Sequence, residues 1–319
     1  MTSDTPRQLH LAQAIEVYDD RFQLLLRSGA GLQKLADGAL HTEGPVYFAE
    51  DDSVVYSDAH DNRLLRWRAA EGVTVLRERS DYQNGSGQDS EGRLVSCSSG
   101  LRAIVRQAEP GQWNDWPVLV DRYRGRRLNS PNDLTLKRDG TIWFTDPPYG
   151  ITEPNQGYGG EQEQPGSYVY RLDPATGEID AVITDMLRPN GIVFSPDERI
   201  LYVSDSSSFD IPDGFHYVRA YDVRGDRQVV NGRVFANIEP GQPDGLCCDR
   251  QGNLFVTSKD SIQVYAPDGT RLGKIYVPET CANLTFGGPE QNRLFITAGH
   301  SLYAIDLNTQ GVNSPDSLG

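Results

Sequence analysis

One unit recurs along this 319-residue chain, and its spacing restricts the fold more than any other feature. The clearest copy occupies residues 188–206, RPNGIVFSPDERILYVSDS: a polar residue beside Gly, a short apolar run, a turn at Ser-Pro-Asp-Glu, and a return through Ile-Leu-Tyr-Val to Ser-Asp. Short β-prone runs around such a turn read as a hairpin with its polar ends at one mouth. Further copies start at Glu43 (EGPVYFAEDDSVVYSD), Asn84 (NGSGQDSEGRLVSC), Asn132 (NDLTLKRDGTIWFTD) and Asp244 (DGLCCDRQGNLFVTS), and a sixth, ANLTFGGPEQNRLFITA, starts near Ala282 or Asn283. With the polar residue as anchor, the steps are 41, 48, 58, 54 and about 39 residues, the period of propeller blades. A single blade cannot bury its own faces, so the copies must form one domain.

The expected fold is therefore all-β: a six-bladed β-propeller with four antiparallel strands per blade, spanning residues 21–308, after an arm at 1–20 and before a tail at 309–319. The sixth copy offers only three strands, near 283–286, 293–297 and 302–307. Two apolar runs, FQLLL at 22–26 and LQKL at 32–35, precede the first anchor. One of them is expected to supply the missing strand, which closes the ring and hides an edge.

Composition then removes whole classes of function. Lys plus Arg is 30 against 45 Asp plus Glu, a net charge of −15 and a pI near 4.7. A field of that sign repels phosphate backbones and anionic membranes and attracts metal cations, so neither nucleic acid nor a membrane is an expected partner. Cys97, Cys247, Cys248 and Cys281 lack metal-ligand spacing and read as reduced packing residues. The first 20 residues have no basic start followed by an apolar run, and no stretch of 18 apolar residues occurs, so the expected location is cytoplasmic. The sequence carries no signal for an oligomeric state.

In a propeller the first strand of every blade lines the central channel, and all six run the same way. The anchors Glu43, Asn84, Asn132, Asn190, Asp244 and the ambiguous sixth must therefore converge on one mouth. Two carboxylates with neutral amide oxygens form an all-oxygen set suited to a hard divalent cation. Glu43 and Asp244 balance its charge, and Asn190 and Asn132 add neutral ligands. No Cys or His holds an anchor position, which argues against zinc; His41, two residues before Glu43, is expected as a neighbour. Asn and Asp beside Gly also make Asx turns, and spacing does not separate the two readings. Glu43, however, is no turn former. Asp58, Asp146 and Asp205 end second strands at the same mouth, and are expected to accept backbone hydrogen bonds there or to orient ligands. The inserts 147–166 and 206–215 follow second strands, so they sit over this mouth as lids or walls.

The combination of EGPV at Glu43, RLNSPND ending at Asp133, TDPPYG at 145–150, PNGIVFSPD at 189–197 and PDGLCCDRQGNLFV at 243–256 resembles the gluconolactonase, senescence marker protein and luciferin-regenerating enzyme family over residues 20–308. That resemblance implies a divalent metal in the channel, commonly calcium with magnesium, manganese or zinc as alternatives, held at positions matching Glu43, Asn190 and Asp244. Asn132 matches a residue that is a ligand in some relatives and a substrate contact in others. A family arginine two residues before it is unmatched here, because Ser130-Pro131 intervenes; Asn129, Tyr149 or Arg127 stand in its place. The expected function is metal-dependent hydrolysis of a sugar lactone, glucono-1,5-lactone to gluconate. The cation would polarise the carbonyl and Asp244, as catalytic base, would take a proton from water, with Asn129, Asn132 and Tyr149 holding substrate hydroxyls. The rival expectations are a phosphotriesterase-like hydrolase on the same metal and a non-catalytic interaction platform.

Overall fold

The computed structural model describes residues 8–10, 14–225 and 227–312. Six antiparallel sheets form a ring. Blade one comprises Thr42–Phe48, Ser53–Asp58, Arg63–Arg68 and Gly72–Arg77, and blade four comprises Pro189–Phe194, Ile200–Asp205, Tyr217–Arg224 and Gln228–Asn237. Blades two, three and five start at Gln83–Gln88, Leu134–Leu136 and Leu246–Cys248 and follow the same plan. This is the six-bladed propeller expected from the period.

Burial follows position in the blade. The second strands of blades one, two, three and five are buried at every residue, and those of blades four and six at all but the first, because a neighbouring blade covers each face. The outer strand of blade one, Gly72–Arg77, contains no fully buried residue, and its first four positions alternate half-buried and exposed because successive side chains point to opposite faces. Aromatic rings fill the wedges between blades. Trp143 of blade three meets Phe194 of blade four edge-on at 5.3 Å, and Phe255 of blade five meets Phe286 of blade six at 5.2 Å.

Blade six consists of Cys281–Gly287, Arg293–Ala298, Ser301–Asp306 and, from the other end of the chain, Gly31–Ala36. The second N-terminal run thus closes the ring, with Tyr303 opposite Lys34 and Leu302 opposite Ala36. Glu279 staples this closure: its carboxylate accepts from Ser301 Oγ at 2.6 Å, Tyr303 Oη at 2.7 Å and the His300 N–H at 2.8 Å, and lies 3.4 Å from Lys34 Nζ. The first run is not a strand. Arg21–Leu25 is a short helix whose Phe22 is wholly buried against blade five. A β-carbon on Gly273 would lie 2.2 Å from that ring, so only glycine lets the helix dock.

Described parts of both termini carry structure. Ile15–Val17 adds a fifth strand to the outer edge of blade five, and Gln8–His10 adds one to blade six. Thr309 is buried and donates to Asp249 Oδ2. The remaining residues of the expected arm and tail, 1–7, 11–13 and 313–319, lie outside the described residues.

Candidate active site

The channel begins with a layer of close backbone contacts. A β-carbon on Gly44 would fall 2.1 Å from the Asn84 carbonyl oxygen, and one on Gly191 would fall 2.1 Å from that of Asp244. Gly85 faces Asp133 and Gly245 faces Asn283 in the same way. Gly44, Gly85, Asp133, Gly191, Gly245 and Asn283 therefore share one level of the ring, and the residues before them share the next level toward the mouth. This settles the sixth anchor as Ala282, whose carbonyl accepts from the Gly245 N–H at 2.7 Å. It brings Glu43, Asn84, Asn132, Asn190 and Asp244 to one level, with no polar side chain from blade six.

Second-strand hydroxyls weld these anchors across blade boundaries. Ser57 Oγ donates to the Asn84 carbonyl at 3.1 Å, Thr145 Oγ1 to that of Asn190 at 2.7 Å, and Ser204 Oγ to that of Asp244 at 2.8 Å. Ser204 Oγ also accepts from the Gly191 N–H at 2.7 Å. The corresponding position in blade two is Cys97, opposite Ile104 in the register of that sheet.

The anchor side chains form a charged, largely desolvated group. Glu43, Asn84, Asn132 and Asn190 are each at least 94% buried. Burial pushes the Asp244 carboxyl well above the usual range, and the charges of Glu43 and Asp133 add to the shift, while a hydrogen bond from the Asn190 amide opposes it. Because a carboxylate only accepts, that bond points the Asn190 nitrogen at Asp244 and leaves its carbonyl oxygen Oδ1 without a partner. Asn84 Oδ1 is likewise buried and unpartnered. Among the described residues, no three His, Cys, Asp or Glu side chains are grouped to hold a metal ion, so a cation here would need these amide oxygens beside Glu43 and Asp244. The donor set is all oxygen, and sealed acceptors with no donor suit a hard cation.

One level deeper, two residues take the place that glycine holds in four of the blades. Asn283 Nδ2 donates to Asp133 Oδ2 at 3.3 Å, and burial raises the Asp133 carboxyl to about 7 against the hydrogen bond from the Leu134 N–H, with Glu43 adding to the rise. The sequence offered Asn283 only as an alternative sixth anchor and did not single out Asp133. The signal of the pair was Asn-Asp at 132–133 and Ala-Asn at 282–283, where the other four copies read Glu-Gly, Asn-Gly or Asp-Gly. Beyond it the channel opens at the opposite end into a cavity of about 190 Å³ lined by Asp133, Asn283, Cys247 and Leu136, with Arg138 and Glu198 at its rim.

On the mouth side, Tyr149 is 94% buried in the helix Tyr149–Thr152 of the blade-three insert, and its hydroxyl has no partner. Burial raises that hydroxyl's pKa, and the nearby charge of Asp244 adds to it. Side-chain contacts tie both inserts down. Phe209 of the blade-four insert meets Tyr149 edge-on at 6.3 Å and is 58% exposed, and Asp210 binds Arg188 through Nε at 2.9 Å and Nη2 at 2.8 Å. In the blade-three insert, the Tyr158 hydroxyl donates to Asp81 at 3.0 Å. Arg127 is engaged elsewhere, donating to the Leu101 carbonyl at 2.9 Å. Asn129 is completely buried, and its amide protons serve the carbonyls of Asp146 at 2.9 Å and Gly166 at 3.0 Å.

His41 lies beside the group, with Nε2 3.6 Å from Glu43 Oε1 and its ring stacked on His60 at 4.4 Å. Burial, with His41 next in effect, lowers His60 to about 4. The strand-ending aspartates accept backbone hydrogen bonds from the preceding loops: Asp58 from Leu40 and His41, Asp146 from Asn129, Asp205 from Leu187.

Comparison with known proteins returns the same region. The family model for the SMP-30/Gluconolactonase/LRE-like region matches residues 41–300. A gluconolactonase of Zymomonas mobilis is 31% identical over 93% of this chain and 87% of its own length. The solved structure of a gluconolactonase of Xanthomonas campestris superposes with a TM-score of 0.85 at 38% identity, covering 92% of this chain and 94% of that one. Regucalcin of Agrobacterium tumefaciens, a calcium-binding protein, shares the fold, with a TM-score of 0.69 at 17% identity over 86% of this chain and 94% of its own.

Proposed function

The chain belongs to the SMP-30/gluconolactonase/LRE-like family and is a lactone hydrolase, and from that premise we propose that it opens glucono-1,5-lactone to gluconate at the mouth lined by Glu43, Asn190 and Asp244. The observation that carries this reading is geometric: the desolvated Glu43, Asn132 and Asn190 side chains share one level of the channel with Asp244, and the amide oxygens of Asn84 and Asn190 at that level have no partner. A carboxylate that accepts a hydrogen bond from the attacking water can take its proton as the carbonyl carbon is attacked.

Asp244 takes the proton of the attacking water as the water oxygen bonds to the lactone carbonyl carbon. The ring C–O bond then breaks, and the proton passes to the departing ring oxygen to give the hydroxy acid. Asn190 keeps the Asp244 carboxylate oriented through its amide hydrogen bond. In this reading the Tyr149 hydroxyl binds a substrate oxygen, which its lack of a protein partner supports, and Asn132 meets a ring hydroxyl. Glu43, Asn190, Asn132 and Asp244 would hold a divalent cation, calcium being favoured because the donors are all oxygen and because regucalcin, of the same fold, is a calcium-binding protein. Such a cation supplies Lewis-acid polarisation of the carbonyl.

The test is a pH-stat assay of glucono-1,5-lactone hydrolysis, corrected for the spontaneous rate, on chelator-treated enzyme, on the same enzyme with calcium restored, and on Asp244→Ala. Activity lost on chelation, regained with calcium and absent in the variant is the expected result. Rates equal to background in every sample would remove this substrate, and a phosphotriester tried next would then be the better candidate.

A further inference from the structure

Asn84 stands on the anchor level in blade two, outside the ligand set expected from the sequence, yet it has the feature expected of a ligand. It is 94% buried, and its Oδ1 is fully desolvated and accepts no hydrogen bond. A buried acceptor without a donor costs about 1–3 kcal/mol, so native chains rarely keep one without a use. Its backbone is fixed to the blade that carries Glu43: the Asn84 carbonyl accepts from Ser57 Oγ, and Gly44 leaves no room for a β-carbon against it. Asn190, across the channel, presents the same orphan oxygen, and there the amide nitrogen is committed to Asp244.

Resting on the metal reading above, we propose that Asn84 contributes its amide oxygen to the divalent cation beside Glu43, Asn132, Asn190 and Asp244, so that blades one to five all ligate it. Two carboxylates and two or more neutral oxygens match what calcium takes from protein sites. The assignment differs from a substrate contact in one measurable respect: it must change cation affinity in the absence of any lactone.

Calcium binding to chelator-stripped protein is measured by isothermal titration calorimetry for the parent chain, Asn84→Leu and Asn84→Asp. Leucine keeps the branched shape and removes the oxygen; aspartate keeps an oxygen in the same place. Thermal unfolding without calcium confirms that each variant is folded. The expected result is a Kd about ten- to a hundred-fold weaker in Asn84→Leu and a Kd equal to or tighter than the parent's in Asn84→Asp. A Kd within two-fold of the parent in Asn84→Leu overturns the assignment while leaving the metal reading intact, and a change confined to KM for the lactone overturns it in favour of a substrate contact. No calcium heat from the parent chain would overturn both.

Discussion

Replacing Ser204 by alanine isolates the hydroxyl that joins blades four and five. Ser204 is fully buried, and its Oγ holds the Gly191 N–H at 2.7 Å and the Asp244 carbonyl at 2.8 Å. Alanine leaves the N–H sealed without an acceptor, at about 1–3 kcal/mol, whereas the carbonyl sits beside a partly open mouth where water can replace the lost donor. The expected loss is about 2 kcal/mol. An unfolding entropy near 2.1 cal/mol/K per residue makes each kcal/mol worth about 1.5 °C for a chain of this length, so the melting temperature should fall by about 3 °C. Lactonase activity should fall further than stability, because the weld positions the backbone of Asp244 and small displacements of a reacting group are costly. Threonine fills the same position in blade three, where Thr145 Oγ1 serves Asn190 and Asp133, so Ser204→Thr should restore both. Differential scanning calorimetry and the pH-stat assay check this. A melting point for Ser204→Ala within 1 °C of the parent, or a threonine variant as impaired as alanine, would refute the reasoning.

Two further outcomes are expected. Phe209, exposed beside Tyr149 at the rim, offers an apolar face to the C–H side of a lactone ring; Phe209→Ala should raise KM by about five-fold with little change in kcat, and Phe209→Tyr should not, as steady-state kinetics will show. Burial by itself would raise the Glu279 carboxyl, but its hydrogen bonds from Ser301, Tyr303 and the His300 N–H outweigh that and, with Lys34, hold it near 2, against 4.5 when free. A depressed folded-state value contributes stability that is complete above 4.5 and lost as pH falls toward 2. Glu279→Gln should therefore melt below the parent at pH 7, and the gap should narrow through that window, read by thermal scans in a pH series.

The blade count and the shared level of the anchors were legible because both follow from period. Hairpins about 40–58 residues apart can be satisfied only by blades, and strand direction alone sends every anchor to one mouth. That Glu43 and Asp244 share a level of the channel was legible for the same reason. Asp133 and Asn283 were not. In sequence they are ordinary neighbours of Asn132 and Ala282, and only their contact across the channel, 150 residues apart, shows them as a pair. Asn129 is a different case: polar and beside the motif, its amide protons go to the carbonyls of Asp146 and Gly166, 17 and 37 residues on, while its amide oxygen is buried without a partner.

Local chemistry therefore determined a propeller of six hairpin-based blades, an acidic surface and a ring of oxygen donors, since turn residues, strand periodicity and net charge act over a few residues or over the whole chain. Only the closed tertiary structure decided which N-terminal run became a strand. Residues 22–26 (FQLLL) and 32–35 (LQKL) are both short, and the first is the more apolar, yet the choice fell to whichever could pair with the free edge of Ser301–Asp306 while the other packed its Phe22 over Gly273. It also decided that Ala282 is the sixth anchor and that the Asn84 amide oxygen is buried without a partner. Those assignments depend on how six blades meet around a channel, and contacts between residues far apart in the chain leave no periodic trace within any one of them.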